Sequence, residues 1–324
     1  MRPLRPTLIA GLLLMAAGAA PARTEQANAP AWITLGTMGG PVPDPTRAQP
    51  ANALVLGRDV YLVDVGDGAV EQLAKAHLQA MQVKAVFLSH LHFDHTGGLA
   101  ALLGLRYQTN APGPLAIYGP PGTRALVDGL VASMRPAAAA GYGLPGAPVI
   151  DPASTVTVTE LVDGGTATLG GFTVRAARNT HYSFAPGSAE DSRYQSLSLR
   201  FDLPGRSIVY TGDTGPSPAV EKLGRGADLL VSEMIDVPAT MARIARLQPD
   251  MPAGQRAAMA EHLTRHHLTP LQVGEMAQAM NVKRVVLTHL VVADADPAAV
   301  DRYLADIHQS FAGPVTPAHD LERF

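Results

Sequence analysis

The sequence of 324 residues contains no cysteine, and this absence excludes several kinds of site. Without cysteine the chain cannot form disulfides, ligate a metal through thiolates or use a cysteine nucleophile. A bound metal must therefore be held by histidine, aspartate or glutamate side chains. The chain has 11 histidines, so a search for such a site is justified.

Charged residues are also scarce, at 16% of the chain, and the formal net charge is −3. Proteins that bind nucleic acid usually present a basic face, so this balance argues against a nucleic-acid partner. Hydrophobic residues make up 47% of the chain, which is enough for a sizeable core and excludes wholesale disorder. The 31 glycines and 27 prolines follow no repeating period and indicate many turns.

Long apolar runs are missing except near the N-terminus, where the sequence predicts a signal peptide. Arg2 and Arg5 precede an apolar run over residues 7–20, and small residues suited to cleavage follow it. The run is shorter than the roughly 20 residues that cross a bilayer, so we prefer a signal peptide over the alternative, an uncleaved anchor. We expect a signal over residues 1–22, a mature chain over 23–324 that is periplasmic or secreted, and no stable membrane span.

Segments typical of strands and of helices alternate through the rest of the chain, which predicts an α/β fold. One helix start is well marked, because Thr269 can cap it, Pro270 suits its first turn and Gln272 completes a capping box. Residues 135–154 are rich in alanine, glycine and proline and are expected to form a loop. No charged linker or repeat divides the chain, so we expect one domain of sandwiched sheets with outer helices.

The densest chemical motif is the segment Ser89-His90-Leu91-His92-Phe93-Asp94-His95, which follows a predicted buried strand. Three histidines and an aspartate so close together are costly to bury unless something ligates them. His90 and His92 can point the same way from an extended loop, while Asp94 and His95 turn towards a second centre. This split indicates two metal ions, which in two-metal sites lie about 3.5–4 Å apart.

The motif resembles the His-x-His-x-Asp-His signature of the metallo-β-lactamase-fold hydrolases. Residues 35–41, 63–68 and 117–123 are similar to the branch that holds ribonuclease Z and the bacterial zinc arylsulfatases. The resemblance covers nearly all of residues 23–324. It implies an αββα sandwich with a dinuclear metal site at one edge, between the sheets.

The resemblance also implies the remaining metal ligands, each of which follows or ends a predicted strand. The implied set has two groups of three and one shared carboxylate: His90, His92 and His181; Asp94, His95 and His289; and Asp213. The implied metals are two Zn²⁺ ions, with manganese or iron as alternatives. A water shared by two zincs reaches a pKa of about 7 and becomes a hydroxide nucleophile at neutral pH.

The same branch implies three catalytic residues. Asp94 would orient the attacking water and accept its proton. Glu233 would hold His267, and His267 would stabilise or protonate the leaving oxygen. Such acid catalysis is typically worth ~10²–10⁴ in rate.

The His-Leu-Thr string occurs twice, so the choice of the acid has to be argued. We prefer His267 over His262 because the capped helix begins two residues after it, as in the family pattern. His262 and His266 are then expected to be solvated loop histidines, and they remain alternatives to His267 for the acid. Residues 237–265 are expected either to cover the site as a lid or to pack a small core of their own.

The favoured function is hydrolysis of a small-molecule ester, either an aryl sulfate or a phosphodiester, with no nucleic-acid substrate. Ribonuclease Z normally carries a long arm for transfer RNA, whereas residues 135–154 are short and Arg135 is their only basic residue. An export signal would also separate the protein from transfer RNA. The alternatives are a lactonase-type or other carboxylic-ester hydrolase and, less readily, a ribonuclease Z-like endonuclease that cuts transfer RNA at its 3′ side. A non-enzymatic metal-binding protein is also less favoured, since no ligand is missing. The sequence leaves both a monomer and a homodimer open.

Overall fold

The computed structural model describes residues 29–141, 143, 146, 149–291 and 297–324. The predicted signal peptide over residues 1–22 lies outside these residues. Within them, no helix combines the length and the apolar character that crossing a bilayer requires.

Fourteen strands in the described residues form two sheets of seven strands each. The first sheet contains β1 (Ala31–Gly36), β2 (Ala51–Leu56), β3 (Asp59–Val65), β4 (Val83–Phe87), β5 (Leu115–Gly119), β6 (Val156–Glu160) and β14 (Glu322–Arg323). The second contains β7 (Thr166–Leu169), β8 (Phe172–Arg178), β9 (Leu197–Leu203), β10 (Arg206–Tyr210), β11 (Leu229–Ile235), β12 (Val285–Val291) and β13 (Val315–Pro317). Their orders are β14-β1-β2-β3-β4-β5-β6 and β13-β12-β11-β10-β9-β8-β7.

Ten α-helices of the described residues accompany the sheets. They are α1 (Ala69–Lys75), α2 (Phe93–Thr96), α3 (Leu99–Gln108), α4 (Thr123–Ala140), α5 (Ala189–Arg193), α6 (Pro218–Gly224), α7 (Val237–Leu247), α8 (Ala253–Arg265), α9 (Pro270–Met280) and α10 (Pro297–Ile307). Short 3₁₀ turns occur at Ala80–Gln82 and Pro152–Thr155.

Three apolar clusters show the layered architecture. The inner faces of the two sheets meet in a cluster that includes Trp32 and Phe87 from the first sheet and Phe201 and Tyr210 from the second. The outer face of the first sheet packs against α1, α3 and α4, and that of the second packs against α6, α9 and α10. The predicted αββα sandwich is therefore confirmed.

The α9 start agrees with the sequence in detail, whereas the predicted loop over 135–154 is partly wrong. Thr269 and Gln272 form the expected capping box, and α9 ends at Met280. Helix α4 continues through Pro136 to Ala140, where four alanines with high helix propensity follow the proline and Ala138 is buried. The strands β7, β13 and β14 were not predicted, because they are short and lie at sheet edges.

The aromatic centre of the sandwich gives a stability prediction. Phe201 is fully buried, and its ring lies 5.8 Å from that of Trp32 and 5.5 Å from that of Phe87. Replacing Phe201 by alanine should lower the free energy of unfolding by about 3–5 kcal/mol, because it leaves a cavity between the sheets. Denaturant unfolding would measure the change. Leu105→Ala on the exposed face of α3 should change it by under about 0.5 kcal/mol, and equal losses from both would contradict this account.

Candidate metal centre and catalytic residues

The structure brings all seven predicted ligands to one edge of the sandwich, where several strands end. His90 and His92 lie in the loop after β4, and Asp94 and His95 lie on the following helix α2. The other three come from the second sheet, where His181 follows β8, Asp213 follows β10 and His289 lies within β12. Carboxyl ends of neighbouring strands meet at such an edge, so residues distant in sequence converge there.

Three ring nitrogens form the first group of ligands. His92 Nδ1 lies 3.0 Å from His90 Nε2 and 3.0 Å from His181 Nε2. Two nitrogens on a tetrahedral zinc with bonds of 2.0–2.1 Å are about 3.3 Å apart, so this spacing suits a small cation. Burial lowers the pKa of all three histidines, and the neutral imidazole is the form that binds a metal.

Asp94, His95 and His289 form the second group. Asp94 Oδ2 lies 3.6 Å from His95 Nε2 and 3.7 Å from His289 Nε2. Both of these histidine nitrogens are buried, and neither has a hydrogen-bond partner within the described part of the chain. Because buried polar atoms without partners are rare, a cation between these donors accounts for them.

Asp213 lies between the two groups with one oxygen facing each. Its Oδ1 is 3.3 Å from His95 Nε2 and 3.2 Å from His289 Nε2, and its Oδ2 is 3.7 Å from His181 Nε2. Burial raises the pKa of Asp213, but the facing His289 and His95 outweigh it and hold the pKa well below its usual range. An ionised carboxylate in this position can bridge two cations. The residues present therefore fit a dinuclear metal site.

Asp64 supports this site, and the sequence analysis did not identify it as a functional residue. Its carboxylate lies 2.7 Å from His95 Nδ1 and accepts hydrogen bonds from the Ser89 amide, the Ser89 hydroxyl and the Tyr210 hydroxyl. These bonds fix which nitrogen of His95 faces the centre. Asp64 also has a left-handed backbone conformation, with φ of 56°. The feature of the sequence that could have indicated this role is an aspartate between two valines at the end of a buried strand.

His267 and Glu233 form the predicted pair beside the ligands. His267 Nδ1 lies 2.7 Å from Glu233 Oε2, and Glu233 Oε1 accepts the Thr214 amide at 2.5 Å. Burial lowers the pKa of His267, but Glu233 outweighs it and raises the pKa to about 9. The ring of His267 lies 4.9 Å from the ring of His181. His267 can therefore be protonated at neutral pH while it faces the metal centre.

The expectation that His262 and His266 are solvated loop histidines is wrong for His262, whereas His266 does lie in the bend after α8 and is partly exposed. His262 lies on α8, is half-buried and has its Nδ1 2.8 Å from Ser183 Oγ. Burial lowers its pKa to about 4, aided by the neighbouring His267 and His266. His266 contacts the Thr180 carbonyl through its ring, and its own carbonyl oxygen lies 3.2 Å from His181 Nδ1. Helix α8, which was not predicted from the sequence, brings the ring of His262 to 5.5 Å from the ring of His181.

The segment 237–265 forms the helices α7 and α8. Met241 and Met251 line a cavity between these helices, together with small side chains of α8 and Arg256. None of the proposed ligands lines this cavity. The end of α8 packs closely against the loop that carries Asp213: a side chain at Gly215 would lie 2.0 Å from the Arg265 carbonyl oxygen.

Comparison with known proteins identifies the family. Residues 60–290 match the model of the beta-lactamase superfamily domain. Ribonuclease Z of Mycobacterium avium is 32% identical over 300 residues, which cover 90% of this chain and 96% of that protein. Ribonuclease Z of Mycobacterium marinum is 29% identical, with coverage of 90% and 97%.

Solved structures with the same fold include two whose length nearly matches this chain. The metallo-β-lactamase-fold protein YhfI of Bacillus subtilis has a TM-score of 0.64 and 20% identity, with 91% of this chain and 98% of that chain covered. The short form of human tRNase Z has a TM-score of 0.61 and 24% identity, with coverage of 91% and 98%.

These relatives correct two predictions made from the sequence. The curated relatives are named ribonuclease Z, so the expected arylsulfatase-like activity on a small-molecule ester is wrong, and so is the expected absence of a nucleic-acid partner. The net charge was a poor basis for excluding a nucleic-acid partner, because it averages over the whole surface and does not describe the chemistry of one edge. The predicted resemblance itself is confirmed. The chain belongs to the beta-lactamase superfamily and is a metal-dependent hydrolase of the metallo-β-lactamase fold, homologous to the ribonuclease Z proteins.

Proposed function

We propose that this protein is an endonuclease of the ribonuclease Z type, which hydrolyses a phosphodiester bond of RNA with two zinc ions. The observation that carries the proposal is the convergence of two ligand groups on the bridging carboxylate of Asp213, with His267 and Glu233 beside them. The names of the curated relatives supply the substrate class. Precursor transfer RNA is the first substrate to test, because a structural relative is a tRNase Z.

When bound, the metal pair would activate water and stabilise negative charge on the phosphoryl oxygens. The ligands proposed for it are the three residues of each group and the shared carboxylate: His90, His92 and His181; Asp94, His95 and His289; and Asp213. Asp94 is slightly accessible at the centre, with 7% of its surface exposed, and its carboxylate can accept the proton of the attacking water.

In the proposed reaction, His267 supplies a proton to the leaving ribose oxygen. Its Nδ1 is held by Glu233, so its Nε2 is the atom that can donate that proton. Glu233 is fixed in turn by the Thr214 amide. This chain of contacts orients the ring and stabilises its protonated form, which is what a general acid for a poor leaving group requires.

We also propose that residues 1–22 direct export, which is supported by the basic start, the short apolar run and the small residues after it. The RNA cleaved in the cell would then lie outside the cytoplasm. Cell fractionation and N-terminal sequencing test this part independently of the activity. A mature chain that begins at Met1 in the cytoplasm would contradict it.

The test of the function uses residues 23–324 purified with zinc. We expect about two zinc ions per chain by elemental analysis, and cleavage of precursor transfer RNA or single-stranded RNA that stops when a chelator removes the metal. An aryl sulfate assayed in parallel should give little turnover. Hydrolysis of the aryl sulfate without any cleavage of RNA would contradict the proposal.

A further inference from the structure

A line of aromatic rings leads away from the metal centre along the segment that follows His181. The ring of Tyr182 lies 5.4 Å from the ring of His92 and 5.7 Å from that of His181. Phe184 lies 5.5 Å from Tyr182, and Tyr194 lies 5.9 Å from Phe184. We refer to Tyr182, Phe184 and Tyr194 as the aromatic strip.

The aromatic strip is separate from the apolar core. None of its rings belongs to the three core clusters of the described residues. Phe184 is 36% exposed, and Tyr182 and Tyr194 are partly exposed. A row of accessible rings that begins at a reaction centre is more typical of a binding surface than of internal packing.

A cation lies at the outer end of the strip. The guanidinium of Arg193 lies over the ring of Tyr194, with its central carbon 5.2 Å from the ring centroid. An arginine beside aromatic rings can stack on a base and attract a phosphate, so it adds to the binding of a nucleic-acid strand. The exposed side of the strip therefore combines flat apolar surfaces with a positive charge.

We propose that the aromatic strip binds unpaired nucleobases of an RNA strand whose scissile phosphate lies at the metal centre. The proposal rests on the proposed function and specifies its substrate as RNA that is single-stranded beside the cleaved bond. Every base has a flat π-face, so stacking on such rings tolerates any sequence. Because Tyr182 contacts the rings of two proposed ligands, the base nearest the cleaved bond would stack there, and the next bases would reach Phe184 and Tyr194.

Binding of a labelled oligouridine tests the proposal directly. The measurement uses zinc-loaded protein carrying His267→Ala, in which cleavage is expected to be slow, and compares oligouridine with an abasic chain of equal length. We expect Phe184→Ala and Tyr194→Ala each to weaken binding of oligouridine about tenfold, since stacking is worth about 1–3 kcal/mol per base. Phe184→Trp should preserve binding, and the abasic chain should bind weakly to every variant.

The control is Tyr107→Ala, which removes a partly exposed tyrosine from a separate cavity lined by residues of α3 and none of the proposed ligands. It should leave binding unchanged, and zinc content should be the same in all variants. Tyr182 is not substituted, because its hydroxyl oxygen accepts the amide of Leu91 within the ligand loop.

The outcomes separate this proposal from the proposed function. Variants of the strip that bind oligouridine as tightly as the parent, or an abasic chain that binds as tightly as oligouridine, would overturn the role of the strip even if RNA is cleaved. Absence of oligouridine binding by the parent would overturn it too. Oligouridine binding that depends on the strip, without cleavage by the wild-type protein, would instead contradict the proposed function.

Discussion

Replacing Asp213 by alanine should lower RNA cleavage about 10³-fold or more and reduce the zinc content. The carboxylate faces both ligand groups, with Oδ1 3.2 Å from His289 Nε2 and Oδ2 3.7 Å from His181 Nε2. Its removal would take away the carboxylate proposed to bind both metals, and it would leave buried histidine nitrogens without a counter-charge. Losing several kcal/mol of transition-state stabilisation corresponds to about 10³-fold in rate. Steady-state kinetics and elemental analysis would measure both effects.

A matched control separates the bridging role from the loss of any aspartate. Asp250 is exposed in the turn between α7 and α8, so Asp250→Ala should leave activity and zinc content unchanged. Asp213→Asn keeps the shape of the side chain and tests the charge alone if the alanine variant folds poorly. Full zinc content together with full activity in Asp213→Asn would contradict the bridging role.

Replacing His267 by alanine should cut RNA cleavage about 10²–10⁴-fold while the zinc content stays intact. The leaving ribose oxygen is a strong base and needs a proton, whereas a nitrophenolate leaves with little help. We therefore expect a much smaller loss on bis(4-nitrophenyl) phosphate than on RNA. His308 is exposed on the segment after α10, and its Nδ1 lies 2.8 Å from the Phe311 carbonyl oxygen, so His308→Ala serves as the control.

The pH profile gives a second measure of the same role. Glu233 raises the pKa of His267 to about 9, so the general acid stays protonated at neutral pH and is lost as the pH rises through about 9. Activity on RNA should fall above that pH in the wild-type protein. Glu233→Gln should move the fall to lower pH, because the neutral amide no longer stabilises the protonated ring. Equal losses on both substrates after His267→Ala, with no change in the pH profile, would show that His267 is not the acid.

Some helix boundaries could be predicted from short stretches of sequence alone. The α9 boundaries were predictable because Thr269, Pro270 and Gln272 satisfy the requirements of a helix start by themselves. Helix α4 was less predictable, since the effect of Pro136 depends on the alanines that follow and on packing against the sheet. The small-molecule substrate was wrongly inferred from whole-chain charge and the length of one loop, neither of which describes the surface beside the centre.

The sequence by itself determined the donor chemistry of this protein: with no cysteine and a dense His/Asp motif, any metal had to be held by imidazole and carboxylate groups. Only the tertiary structure decided how these donors are grouped and supported. Asp64, His95 and Tyr210 are far apart in the chain, and their contacts exist because β3, α2 and β10 meet at one edge. In the same way, the placement of His262 beside His181 depends on the path of α8, because contacts between distant residues are fixed by packing and not by local sequence.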